Sequence, residues 1–117
     1  MKHVLTIPDW TPARLNQFDG RHWAVRANLK KADRQLVMIY FLTSQIPSAR
    51  GKRRVSLDIM LGKHRRLSDP DAHWKSLLDA LVHASLLVND NPAGVELGPV
   101  TITKGPRTCT TITLEDV

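Results

Sequence analysis

Three carboxylates and one lysine carry the chemistry open to this sequence. Asp69 and Asp71 flank Pro70, Lys75 follows one helical turn later, and Asp90 stands in the turn-forming stretch Asn89-Asp90-Asn91-Pro92-Ala93-Gly94. A proline biases the residue before it toward extended backbone. In extended chain residues i and i+2 point the same way, so Asp69 and Asp71 can converge on one point where a helix begins. Hard oxygen donors select Mg²⁺, with Mn²⁺ able to substitute, and Mg²⁺ keeps several waters and bridges to phosphate. Such an ion polarises a phosphoryl oxygen and lowers the pKa of an attacking water. Lys75 can then steady the charge on the phosphate or position that water. The same residues also admit a plainer account. Asp-Pro is a good helix-capping pair, Asp90 a turn former, and Lys75 a surface i, i+4 partner of Asp79. For Asp90 to join the other two, the helix must end earlier and the chain double back alongside it, because about seventeen helical residues would hold them roughly 25 Å apart.

The neighbouring charge favours the metal. Between Arg50 and Arg66 lie Arg50, Lys52, Arg53, Arg54, Lys63, Arg65 and Arg66, opposed by Asp58 alone. That window carries the chain's whole formal charge of +6, and the remainder sums to zero. A basic excess confined to one segment points to a polyanion-binding surface. Its plainer alternative is a solvated loop that keeps a strand edge from aggregating. Carboxylates beside such arginines would repel the phosphate that the arginines attract, unless a divalent cation lies between them.

Other classes are excluded or weak. At 117 residues and 13.2 kDa the chain reads as one domain, 1–117, with ordinary apolar and charged fractions of 42% and 24% that argue against disorder. The longest apolar run, Leu36 to Leu42, is too short for a bilayer span, and Met1 to Pro8 lacks the apolar stretch of a signal peptide. A lone Cys109 excludes an internal disulfide and a Cys-based zinc cage, which fits a cytoplasmic protein. The spacing of His64, His73 and His83 matches no common zinc pattern, and no phosphate loop or nucleophile elbow is present.

The elements that must position these residues follow from periodicity. Residues 3–8 form a short β run stopped by Pro8, and 9–21 read as loop. His22 to about Gln45 holds no Gly or Pro, and Val25, Leu29, Ala32, Leu36, Ile39 and Thr43 mark one buried helix stripe. Arg53 to Leu61 alternates, with Val55, Leu57, Ile59 and Leu61 on one face. Asp69-Pro70-Asp71 opens a second helix whose stripe is Trp74, Leu77, Leu78, Leu81, Ser85 and Val88, ended by the Asn89–Gly94 turn. Val95 to Leu114 holds two β runs around Lys104-Gly105-Pro106-Arg107, the expected turn of a hairpin. The order β-α-β-α-β-β predicts an α+β fold, a mostly antiparallel sheet with two helices packed on one face.

Read in full, Ser68-Asp69-Pro70-Asp71-Ala72-His73-Trp74-Lys75-Ser76-Leu77-Leu78-Asp79-Ala80-Leu81, followed by Asp90 in its Val-Asn-Asp-Asn turn, resembles the RusA family of Holliday junction resolvases. Pro8-Asp9-Trp10-Thr11-Pro12 with Asn16 is similar to that family's opening. The resemblance implies a homodimeric Mg²⁺-dependent endonuclease that resolves four-way DNA junctions, with Asp69, Asp71 and Asp90 as metal ligands and Lys75 as the catalytic lysine. Arg53, Arg54, Lys63, Arg65 and Arg66 would grip backbone phosphates. The sequence departs from the family at three places: Ala72 stands where Asn is usual, Ser68 replaces a basic residue, and Asn89 replaces the first acid of an Asp-Asp turn. A relative that binds nucleic acid without cutting it is the alternative these departures raise.

Overall fold

Six elements follow the predicted β-α-β-α-β-β order in a computed structural model that describes residues 2–11, 23–62 and 74–117. They are β1 (Lys2–Pro8), α1 (Trp23–Ser44), β2 (Arg53–Leu61), α2 (Trp74–His83), β3 (Val95–Lys104) and β4 (Cys109–Asp116). The fold is α+β. β2 begins and ends where its alternation does, and Val55, Leu57, Ile59 and Leu61 are all buried. Leu5 and Ile7 of β1 and Ile112 and Leu114 of β4 join them on one face of the sheet. Val37 of α1 and Trp74, Leu77, Ala80 and Leu81 of α2 cover that face and complete the core. No described helix is long and apolar enough to cross a membrane.

The strand order is β1-β4-β2-β3, with β4 antiparallel to both of its neighbours and β3 parallel to β2. The expected hairpin between β3 and β4 is therefore not formed. Instead the chain crosses the far end of β2, where Gly105 N donates to Leu61 O at 2.9 Å and Gly62 N donates to Thr108 Oγ1 at 3.0 Å. Two features of the strands account for this. β4 presents Thr110, Ile112 and Leu114 to the core and suits a central place. β3 carries Pro99, which has no N–H to donate, beside a register shift opposite Val55 and Leu57. Proline and a bulge belong on an edge, where they also discourage pairing with another sheet.

α1 packs on a different stripe from the expected one. Ile39 is 57% exposed, and Ala32 and Thr43 are open to solvent, whereas Val37 is 0% and Asp33 5% exposed. The buried stripe lies one residue along, a rotation of about 100°. Two polar contacts fix that rotation. Trp10 Nε1 donates to Asp33 Oδ1 at 3.0 Å, and Arg34 Nε donates to Asp79 Oδ2 of α2 at 2.7 Å.

α2 ends far sooner than its apolar pattern suggests. Ser85 takes φ 63°, its N–H donates to Val82 O, and Leu86 N donates to Leu81 O. These two bonds around a left-handed residue form a Schellman cap. The cap turns Leu86 and Leu87 into the core and leaves Ser85 exposed and Val88 51% exposed, displacing both from the expected stripe.

Candidate nucleic-acid and metal site

Because β2 and β3 run parallel, α2 must carry the chain back from the end of β2 toward its beginning. The loop after α2 confirms the direction. Ala49 N donates to Ser85 O, and Arg53 N, at the first residue of β2, donates to Gly94 O. Asp90 lies in this loop, exposed, and has no cationic partner among the described residues. The loop is shaped by its own side chains, with Asn91 N donating to Asn89 Oδ1 and Ala93 N to Asn91 Oδ1. Gly94 closes it so tightly that a Cβ there would lie 2.3 Å from Asn89 Oδ1. Asp90 is thus a carboxylate on a rigid turn, as its residue type suggests.

Asp69 and Asp71, with Lys63, Arg65 and Arg66, lie outside the described residues. So does the side chain of Lys75, whose backbone is the second residue of α2. Among the described residues no group of three His, Cys, Asp or Glu side chains gathers to hold a metal. The donor set Asp69, Asp71 and Asp90 suits Mg²⁺ by its chemistry, all hard carboxylate oxygens. Asp79, on the same helix, has a partner of its own in Arg34, whose guanidinium it holds above its usual pKa by hydrogen bond and charge.

The expected phosphate-binding arginines of β2 need correction. Arg53 is 2% exposed, and its guanidinium is fully engaged. Nε donates to Asp116 Oδ1 at 2.9 Å, one terminal nitrogen to Leu86 O at 3.1 Å, and the other to Pro47 O at 2.9 Å. It ties the end of β4 to the segments that follow both helices, and no face of it remains for a phosphate. Strand parity already carried the signal. Arg53 stands two residues before Val55, so the alternation assigns it to the core face. Arg54 points to the opposite, open face but is paired with Glu96 of β3, which raises its pKa through a hydrogen bond and charge, with Glu115 contributing.

The basic window is consequently not one patch. β2 spans nine residues, about 26 Å end to end. Arg50 and Lys52 are exposed before it, and Lys63, Arg65 and Arg66 follow it in the chain. At its far end stand two exposed cations from the expected hairpin turn, Lys104 and Arg107. Nothing in their spacing foretold this, since only the crossing of β2 brings them there.

Together these features define a two-layer α+β domain in which, of the candidate carboxylates, Asp90 alone lies among the described residues. The chain matches no protein-family model and no curated protein.

Proposed function

We propose that this chain is a Mg²⁺-dependent, structure-selective DNA endonuclease that resolves four-way junctions by paired symmetric nicks, akin to the RusA family it resembles. The observation that supports this best is the length of α2. The reading asks for a helix that ends well before Asp90, and α2 has ten residues, about 15 Å, closed by a cap at Ser85, which shortens the span between the two carboxylate segments. Lys75 is its second residue, four positions after Asp71 in the chain.

Asp69, Asp71 and Asp90 are the residues that would hold the metal. When bound, Mg²⁺ supplies charge on a phosphoryl oxygen and acidifies a coordinated water. Lys75 steadies the charge that builds on the attacked phosphate. Lys63, Arg65 and Arg66 position the backbone, a contact that carries no base sequence. A homodimer gives two matching sites for two symmetric nicks.

The test is nicking of a synthetic four-way junction by wild type and Asp71→Asn, with Mg²⁺ or Mn²⁺. Metal-dependent cuts by wild type, and junction binding without cuts by Asp71→Asn, are expected. Equal nicking by both, or none by wild type, refutes the catalytic assignment. Binding without scission by wild type would assign the non-catalytic alternative.

A further inference from the structure

We propose that Arg50 and Lys52, on the segment that leads into β2, are phosphate-binding residues that hold the DNA backbone beside Asp90. The inference rests on the nuclease reading above and adds to it two cations that the reading leaves without a role.

The segment 49–53 is fastened at both ends to the loop that carries Asp90. Ala49 N donates to Ser85 O at 2.9 Å, where the loop leaves the α2 cap, and Arg53 N donates to Gly94 O at 3.2 Å, where the loop enters β3. Asp90 stands between these anchors in the loop, and Arg50 and Lys52 stand between them in the segment. The Arg53 side chain tightens the junction, donating to Leu86 O on one side and Pro47 O on the other. Val117 N adds a bond to Lys52 O at 3.2 Å. A backbone held at so many points offers its exposed side chains from fixed positions, which lowers the entropic cost of gripping a ligand. A Cβ on Gly51 would meet nothing within 4 Å, so the chain between the two cations faces open space.

Charge pairing at this end of the sheet leaves three groups over. Arg50, Lys52 and Asp90 are exposed, and none of them makes an ion pair among the described residues. The other side-chain carboxylates here are matched. Asp116 accepts from Arg53 Nε at 2.9 Å, and His3 Nε2 lies 3.6 Å from its second oxygen. Glu115 stands in register with Lys2 on one side and Arg54 on the other, and Arg54 is bonded to Glu96. Two unspent cations beside one carboxylate can hold a phosphate that the carboxylate alone would repel, and a divalent cation on Asp90 reverses that repulsion. Duplex DNA carries one charge per about 1.7 Å of axis, so a backbone that reaches Asp90 brings several phosphates to Arg50 and Lys52. Lys104 and Arg107, about 26 Å away at the far end of β2, lie well beyond the screening length.

The experiment measures binding of a synthetic four-way junction without divalent metal, across a salt series, for wild type, Arg50→Gln/Lys52→Gln, Lys104→Gln/Arg107→Gln and Asp90→Asn. The double variants remove equal charge from exposed positions at opposite ends of β2, and unchanged melting temperatures verify folding. Each phosphate contact contributes about 0.9 to the slope of log K against log salt. Arg50→Gln/Lys52→Gln is expected to lose about tenfold or more in affinity at roughly 0.1 M salt and about 1.8 from the slope magnitude. Lys104→Gln/Arg107→Gln is expected to lose less than about twofold. Asp90→Asn, which removes a repelling charge, should bind about threefold more tightly. If wild type binds and Arg50→Gln/Lys52→Gln binds equally well, if both double variants lose equally, or if Asp90→Asn gains nothing, this inference falls while the nuclease reading stands on its nicking assay. If wild type binds no junction at any salt, both fall.

Discussion

Replacing Arg53 by methionine separates a fold residue from a DNA ligand. Methionine keeps most of the buried stem and removes the guanidinium, leaving Leu86 O and Pro47 O without their donors in a place where Arg53 is only 2% exposed. Hydrogen bonds from a charged donor are worth about 1.5 kcal/mol or more each, so these two account for roughly 3 kcal/mol. The Asp116 end, open to water, is left out of that figure. Against a total stability of about 5–15 kcal/mol, this is a large loss. In urea denaturation followed by circular dichroism, with a slope of about 1.5 kcal/mol/M, the midpoint should fall by about 2 M. Arg53→Lys should recover little, because a single ammonium cannot spread planar donors over three acceptors. Junction binding by the folded fraction should be unchanged. An unshifted midpoint together with weakened junction binding would refute the assignment and return Arg53 to the phosphate-binding surface.

Three further outcomes follow from the same geometry. The Arg53 hydrogen bond is the main cause that lowers the pKa of Asp116, with burial opposing it. A depressed folded pKa means stability that is present above the unfolded value, about 3.9, and is lost as pH falls through the folded one. The stability gap between wild type and Asp116→Asn, read as urea midpoints, should thus hold from pH 7 down to about pH 4 and narrow as the pH falls further, and a constant gap into strong acid would contradict the pairing. Ser85→Gly relieves a left-handed residue at the α2 cap and should raise stability by about 0.5–1 kcal/mol, where a fall in melting temperature would count against the cap. Val37→Ala should cost about 2 kcal/mol, while Ile39→Ala stays within about 0.5 kcal/mol, and the reverse order would restore the original α1 stripe.

The parts of this fold that the sequence announces are those whose signal is local. Nothing but strict alternation is needed to bound β2, and the absence of Gly and Pro suffices for the extent of α1. Its buried face is another matter. The run Leu36–Leu42 offers apolar side chains all round the helix, so two neighbouring stripes are nearly equivalent until Trp10 and Asp79 choose between them. The end of α2 was hidden because leucines and valines keep helical spacing to Val88, and the left-handed position is held by serine rather than the usual glycine. The Lys104–Arg107 turn residues serve a crossover as well as a hairpin, and strand order is a long-range property. The carboxylate motif was legible from residue types and spacing. The tie that anchors the Asp90 loop to the start of β2 was not, because it depends on β3 pairing parallel to β2.

Charge counted along a chain becomes surface charge only after topology has distributed it. The +6 window looked like a single approach to the carboxylates, yet a nine-residue strand runs through its middle. That strand draws Arg53 into the interior as a three-way tie and pairs Arg54 across to β3. It also separates Arg50 and Lys52, exposed before its start, from Lys104 and Arg107, exposed at its far end, by about 26 Å. Fields between exposed charges are screened within about 10 Å at ordinary salt. Arg50 and Lys52 share the end of the sheet that carries the Asp90 loop, and the cations beyond the far end of β2 do not. Two positive side chains are taken up by pairing within the strand, and two others, Lys104 and Arg107, are exposed where the chain crosses its far end. Where this fold displays its positive charge is decided by strand order as much as by the basic segment itself.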